Sequence, residues 1–159
     1  QLAWLMIDEK GGEVKSANKI IKPEGFVIPE RAAAVHGIST ERAQDEGVLL
    51  NPVLKEFKKA VDEAKIIVAH NINFDEMIMG AELLRKKYEN KLFDRPKICT
   101  MQSSTDYCQI ESGFGYKWPK LIELHYKLFD EGFENAHDAL ADVRACARCF
   151  FELMKRGVI

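Results

Sequence analysis

The chain of 159 residues is 47% hydrophobic and 30% charged, which is the composition of one globular domain. Its net charge of −2 argues against a protein that holds duplex nucleic acid by phosphate neutralisation alone, because such proteins are usually basic. No apolar run approaches the roughly 20 residues that cross a bilayer, and no secretory signal is visible. The four cysteines (Cys99, Cys108, Cys146 and Cys149) are too few for a disulfide framework. We therefore expect a soluble protein in a reducing compartment such as the cytoplasm.

The first part of the chain predicts a β-hairpin followed by two helices. Two apolar runs flank residues 10–12, where Gly11 and Gly12 can take the positive φ of a tight turn. A short helix is expected between Pro29 and Gly37. A longer helix follows in "NPVLKEFKKAVDEAK", with Asn51 as its cap.

Strands and helices alternate in the rest of the chain. The apolar run "IIVA", residues 66–69, predicts a strand covered on both faces, and "KICTM", residues 97–101, predicts another. Helices are expected after the cap Asn73, from Pro119, and over the last 25 residues. This order predicts an α/β domain, a mixed sheet with helices on both faces, whose sites gather beyond the carboxyl ends of the parallel strands.

One charged residue interrupts an inward-facing stripe on the last helix. Helical spacing places Asp142 on the same face as small or apolar residues, namely Ala139, Cys146, Cys149 and Leu153. A carboxylate that faces inward is costly unless it is paired, hydrogen-bonded or bound to a cation. Asp142 is therefore a candidate functional residue, with a buried structural partner as the alternative.

Two further residues could act with Asp142. Asp75 follows the strand at 66–69, although the helix dipole alone favours an acidic residue in a first helical turn. His137 can converge on Asp142 only at the very start of the helix, where Asn135 would be the cap. A helix N-terminus disfavours imidazolium, so His137 would stay neutral and able to accept a proton. An exposed first-turn histidine without a function is the alternative.

Taken together, these motifs resemble a known family. The segments "VHGIS" (35–39), "HNINFD" (70–75) and "HDALAD" (137–142) are similar to the DEDDh family of 3′→5′ exonucleases. This family includes relatives of the bacterial DNA polymerase III proofreading subunit and has a ribonuclease H-like fold. "YKWPKLIELHYKLF" resembles its segment ahead of the final motif, so the resemblance spans essentially the whole chain.

The resemblance implies a function and a role for each matching residue. The reaction would be hydrolysis at the 3′ end of single-stranded DNA or RNA, with two Mg²⁺ or Mn²⁺ ions. Asp142 would be a direct metal ligand, and Asp75 would hold the second metal, directly or through water. His137 would be the general base, and His36 would contact the substrate end. A polymerase is a candidate partner.

The family's first motif, D-x-E, is missing from this sequence. In the family it lies on the central first strand, which immediately precedes a segment like "QLAWLMI", and here that segment opens the chain. Asp8 and Glu9 cannot substitute, because they lie at the far end of the next strand. We expect residues 1–159 to be a single exonuclease-like domain, N-terminally incomplete and unable to cut alone. The alternative is a non-catalytic ribonuclease H-like module that binds a nucleic-acid end or a polymerase.

Two weaker signals have structural alternatives. Cys146 and Cys149 form a C-x-x-C pair that could bind zinc, but they lie on the inward helix stripe without a second pair nearby, and we expect core residues. Tyr116 and Trp118 could stack on unpaired bases or could cap the core beside their loop.

Overall fold

The computed structural model describes residues 1–159 as helices with short strands between them. In chain order the elements are β1 (Leu2–Ile7), β2 (Glu13–Lys19), α1 (Glu30–His36), α2 (Thr40–Glu46), α3 (Leu50–Glu63), β3 (Ile67–Ala69), α4 (Ile72–Arg85), β4 (Lys97–Cys99), α5 (Thr100–Ser103), α6 (Thr105–Cys108), β5 (Glu111–Ser112), β6 (Gly115–Tyr116), α7 (Leu121–Phe129) and α8 (Ala139–Lys155). None of these helices combines the length and the apolar character needed to cross a membrane.

The predicted hairpin is confirmed. β1 and β2 pair antiparallel, with Leu2 opposite Lys19 at one end. At the other end the Asp8 carboxylate accepts hydrogen bonds from the backbone N–H groups of Lys10 at 2.9 Å and Gly12 at 2.8 Å. Gly11 takes φ 85°, which a residue with a side chain rarely adopts. The turn is therefore set by local residues.

The second strand pair is parallel and places two residues side by side. β3 and β4 pair in the register Ala69 opposite Cys99, with α4 as their crossover. His70 and Thr100 come directly after these partners, so both stand at the same strand end. β4 ends at Cys99, and α5 begins at the next residue, Thr100. The three residues of β3 are only half-buried, so the prediction of a strand covered on both faces is wrong.

The two strand pairs do not join into one sheet. β1 and β3 both pack against α8, but no hydrogen bonds connect them. The accessible surface is 10,025 Å², against about 8,100 Å² expected for a compact monomer of this mass. The α/β class is confirmed, while the mixed sheet is divided into separate pairs with open edges.

The core is built mainly from helix faces. One cluster joins α3 and α4 and contacts the strands through Leu2 and Ile67; its buried members are Leu54, Val61, Met79, Leu83 and Leu92. A second cluster joins α7 to the stripe on α8 and contains Cys108, Leu124, Leu128, Cys149 and Leu153. The predicted inward stripe of the last helix is therefore confirmed at its buried positions.

Several helix boundaries differ from the prediction. Pro29 and Gly37 do bracket α1, and Gly37 closes it with φ 71°. Asn51 does not cap α3, which begins at Leu50; the Asn51 side chain instead accepts a hydrogen bond from the Tyr88 hydroxyl at 2.7 Å. The cap of α4 is Asn71 rather than Asn73, and α7 begins after Pro119. Helices α2, α5 and α6 were not predicted.

Candidate active site

Asp75 and Asp142 lie on two helices that both pack against β3. Asp75 lies in the first turn of α4, and Asp142 lies in the first turn of α8. Burial raises the pKa of the Cys146 thiol to about 12, and the negative charges of both carboxylates contribute to this rise. The negative charges of both carboxylates therefore act on the same buried sulfur.

Asp75 lacks a cationic partner. The residue is exposed, yet the protein packed around its carboxyl group raises its pKa to about 6. A hydrogen bond from its own backbone N–H opposes this rise without cancelling it. An acidic residue that served only the helix dipole would need no such surroundings.

Asp142 is half-buried and is held by a backbone group. Its Oδ1 accepts a hydrogen bond from the backbone N–H of His137 at 3.3 Å. Burial raises the pKa of Asp142, while this hydrogen bond and the nearby imidazoles of His137 and His70 act in the opposite direction. No lysine or arginine neutralises it, so the proposed structural partner is only a backbone amide.

His137 lies outside the helix, contrary to the prediction. Asp138 is the N-cap of α8, and its carboxylate accepts from the N–H groups of Leu140 and Ala141, each at 3.1 Å. The predicted cap, Asn135, belongs to the preceding turn and has φ 56°. His137 itself has φ 77°, and its side chain is exposed. The loop, rather than the first helical turn, brings His137 to Asp142.

His36 is the last residue of α1 and has a local role. Its Nδ1 accepts a hydrogen bond from the backbone N–H of Ile38 at 3.2 Å. This bond leaves Nε2 available, but no hydrogen bond joins His36 to Asp75 or Asp142. The structure therefore gives a local role to Nδ1 of His36 and none to Nε2.

Two residues at the site were not predicted. His70 Nδ1 lies 3.0 Å from Thr100 Oγ1, and His70 Nε2 lies 2.9 Å from the Pro119 carbonyl oxygen. Thr100 is fully buried. The sequence signal for them was the pair of apolar runs at 66–69 and 97–101. If these runs pair as parallel strands that end together, the residues that follow them, His70 and Thr100, become neighbours.

The side chains of residues 1–159 supply only part of a metal site. Carboxylates without cationic partners are suitable oxygen ligands for Mg²⁺ or Mn²⁺. However, no group of three or more His, Cys, Asp or Glu side chains is close enough together to hold a metal ion. Asp75 and Asp142 supply two candidate oxygen ligands, and further ligands would be needed to complete a site.

The weaker signals have different outcomes. Cys146 and Cys149 are buried free thiols, and burial raises the pKa of each to about 12, which suits core residues rather than zinc ligands. Tyr116 and Trp118 are 46% and 60% exposed, so they do not cap the core.

Residues 1–150 match the family model of the RNase T exonucleases. The chain belongs to this exonuclease family. It is also 31% identical over 150 residues to CP81, an uncharacterized exonuclease of Escherichia phage 186, across 88% of this chain and 73% of the phage protein. Membership confirms the predicted resemblance and identifies the domain as a nuclease-type hydrolase.

Solved structures show the same fold. Exonuclease I superposes with a TM-score of 0.80 at 18% identity, covering 96% of this chain and 36% of exonuclease I. Escherichia coli exonuclease I in complex with a dA16 oligonucleotide gives a TM-score of 0.76 at 19% identity, covering 97% of this chain and 36% of that chain. The exonuclease domain therefore has the predicted ribonuclease H-like fold and spans about a third of exonuclease I.

Proposed function

We propose that this exonuclease family member removes nucleotides from the 3′ end of single-stranded nucleic acid by a two-metal-ion mechanism. The observation that carries the proposal is the pair Asp75 and Asp142, two carboxylates with raised pKa and no cationic partner, on two helices that pack against β3. Single-stranded substrates are supported by the complexes of exonuclease I with dA16 and dT13 oligonucleotides. The use of Mg²⁺ or Mn²⁺ as the metal is part of the proposal, and so is the 3′→5′ direction of cutting.

The proposed roles are those that the family resemblance implies, and the hydrogen bond between His137 and Asp142 supports them. When bound, the divalent cations supply charge stabilisation at the phosphate and a more acidic water. Asp142 and Asp75 provide oxygen ligands from two different helices. The His137 imidazole accepts the proton of the attacking water, because its loop lies against Asp142 through the backbone hydrogen bond at 3.3 Å. His36 offers its free Nε2 to the substrate end.

A strand carrying D-x-E would complete the ligand set. Both β1 and β3 pack on α8 and lack a shared partner, so a strand can pair between them. Its acidic residues would then emerge beside Asp142, near the carboxyl end of β3. We propose that residues 1–159 without such a strand bind no second metal and do not cut.

The second candidate function is a non-catalytic module. It is favoured by the same incomplete ligand set, because two carboxylates alone do not form a two-metal site. Such a module would bind a nucleic-acid end, or a polymerase, without hydrolysis.

Polarity and metal dependence can be tested with one labelled substrate. The natural protein, its intact mass first measured, is incubated with Mg²⁺ and a single-stranded oligonucleotide carrying a 5′ label. A ladder of shortened labelled products is expected, whereas a 5′→3′ enzyme would release the label as a mononucleotide. Asp142→Asn should abolish the ladder, and Asp130→Asn, an exposed position between α7 and α8, is the matched control.

The outcomes separate the two functions. Binding of the oligonucleotide without any Mg²⁺-dependent or Mn²⁺-dependent ladder would favour the non-catalytic module. Efficient Mg²⁺-dependent digestion by a chain verified at 18.1 kDa would show that no D-x-E strand is needed.

A further inference from the structure

A chain of hydrogen bonds links the ends of β3 and β4 to α8. It begins at the Pro119 carbonyl, passes through the His70 ring to the Thr100 hydroxyl, and ends at the Cys146 thiol, 3.6 Å from Thr100 Oγ1. Pro119, Thr100 and Cys146 are buried, and His70 is half-buried. These four residues belong to four separate segments, so the chain ties together parts of the fold that local structure leaves independent.

The direction of each hydrogen bond follows from chemistry. A carbonyl oxygen only accepts, so His70 carries its proton on Nε2 and donates to Pro119. The unprotonated Nδ1 then accepts from the Thr100 hydroxyl, because the alternative acceptor, the Ala69 carbonyl, lies farther away at 3.4 Å. Thr100 oxygen in turn accepts the S–H of Cys146, since burial keeps this thiol protonated. Each side-chain polar atom in this hydrogen-bond chain therefore has a partner.

A neutral His70 is consistent with its surroundings. Burial lowers the pKa of His70, while the Pro119 carbonyl and the charge of Asp142 only partly oppose this. A neutral ring has one donor and one acceptor, which is what Pro119 and Thr100 require. The ring orientation is therefore fixed from both sides.

This hydrogen-bond chain connects the segments that carry the two proposed metal ligands. Asp75 lies five residues after His70, in the first turn of the following helix, and Asp142 lies one helical turn before Cys146 on α8. Thr100 stands between the two, at the end of β4. A shift of α8 relative to β3 would stretch the contacts of Thr100 with His70 and Cys146.

We propose that Thr100, with His70, is a positioning residue that sets the separation of Asp75 and Asp142. This inference rests on the proposed function, because a fixed separation matters only if both carboxylates act on one substrate. Neither residue contacts the substrate in this role. The loss of the Thr100 hydroxyl should lower kcat, since small misplacements of catalytic ligands cost up to about 100-fold in rate.

Thr100→Val and Thr100→Ser form the test pair. Valine keeps the shape and the methyl group but replaces the hydroxyl with a second methyl, whereas serine keeps the hydroxyl and lacks the methyl. We expect Thr100→Val in the natural protein to lower kcat by about 10- to 100-fold, with KM for the oligonucleotide changed by about twofold or less. Thr100→Ser should restore kcat to within about threefold of the wild type.

A purely structural Thr100 would give the opposite order. Serine would leave a cavity and fare worse than valine, which fills the space, and the unfolding midpoints would follow the same order. That order, or equal kcat values for Thr100→Val and wild type, would overturn the proposal. An inactive wild-type protein would instead overturn the proposed function, and the positioning role with it.

The tautomer of His70 provides a readout that does not depend on activity. Nitrogen-15 NMR of the metal-free protein should show Nε2 protonated and Nδ1 unprotonated near neutral pH. Thr100→Val should shift the Nδ1 resonance, because that nitrogen loses its donor, and Thr100→Ser should shift it much less. A proton on Nδ1 would reverse the direction of the chain and contradict the assignment.

Discussion

At the scale of single residues, the proposed metal ligands differ from the other acidic groups. The pKa values of Glu63 and Glu123 are lowered, in each case chiefly by a hydrogen bond from a lysine. Asp75 and Asp142 show the opposite direction, because burial dominates and no lysine or arginine contributes. An acidic side chain that folding leaves unneutralised in packed surroundings is poised to bind a cation. The cost of that arrangement can be measured in the metal-free protein.

Asp75→Asn should stabilise the metal-free protein at neutral pH. The folded pKa of about 6 exceeds the ordinary value of 3.8, so the folded state binds the proton more tightly than the unfolded state. Stability is therefore lost as pH rises from about 4 to 6. After a discount for solvent screening at this partly exposed group, we expect a gain on the order of 1 kcal/mol at pH 7.

Urea unfolding in the presence of a chelator tests this expectation. The advantage of Asp75→Asn over the wild type should disappear below about pH 4, where both states are protonated. Asp130→Asn, at an exposed position between α7 and α8, is the control variant. A variant that is less stable than wild type at pH 7 would show that the Asp75 carboxylate is stabilised by the fold.

His137→Asn should reduce activity without reducing stability. Asparagine tolerates the positive φ of 77° and cannot act as a general base, and the histidine side chain that it replaces is exposed. We expect kcat of the natural protein to fall by about 10²- to 10⁴-fold, with an unchanged thermal midpoint. His137→Ala should lose a similar rate and about 1 kcal/mol more stability, because alanine is strained at this φ. A nearly normal rate for both variants would remove His137 from the mechanism.

At the scale of elements, the start of α8 is fixed by a distant contact. Asp138 caps the helix, and its second carboxylate oxygen accepts a hydrogen bond from the Gln1 side chain at 2.8 Å. This bond lowers the pKa of Asp138 and joins the beginning of β1 to the beginning of α8. The cap also defines the turn from which the His137 amide reaches Asp142. Helix capping and site geometry therefore depend on one carboxylate.

Asp138→Ala should destabilise the protein by about 1 kcal/mol, because two backbone N–H groups lose their acceptor. Asp138→Ser should recover most of the lost stability, because serine is also a good cap. The recovery should be incomplete, because serine has no carboxylate to accept the hydrogen bond from Gln1. Chemical denaturation of the three proteins measures both effects. Equal stabilities for alanine and aspartate would mean that solvent satisfies the first turn.

Elements with local signals could be predicted from the sequence. The hairpin at Gly11 and the helix between Pro29 and Gly37 are both set by residues next to them. The cap of α8 could not be predicted in the same way, because Asn135 and Asp138 are both good caps. The contact with Gln1, far away in the chain, accompanies the choice of Asp138.

The candidate site was predictable only in part for the same reason. Asp142 was identified by its conflict with an apolar stripe, which is a local pattern. The pairing of His70 with Thr100 depends on the register of two parallel strands separated by a helix. Hydrophobic patterns indicate that such strands exist but do not give their register. The division of the sheet into separate strand pairs could not be predicted for the same reason, because hydrophobic patterns do not show which strands pair.

At the scale of the whole molecule, the accessible surface shows how open the fold is. Residues 1–159 expose 10,025 Å², about 1,900 Å² more than the size relation for compact monomers gives. All six residues of β1 are half-buried, although all six are apolar. Half-buried apolar strands with unpaired edges are sites where another strand can add. The free edge of β1 is therefore the feature by which the proposed D-x-E strand can be detected.

Hydrogen exchange distinguishes a closed sheet from an open one. Alternate backbone amides of β1 point toward β2 and are hydrogen-bonded there, while the others point away from it. In residues 1–159 alone, the amides that point away should exchange rapidly and those facing β2 slowly. If the natural protein carries a strand between β1 and β3, both sets should be protected, and the amides of β3 should become protected with them. Protection confined to the β2 side in a protein that digests oligonucleotides with Mg²⁺ would mean that the remaining metal ligands come from elsewhere.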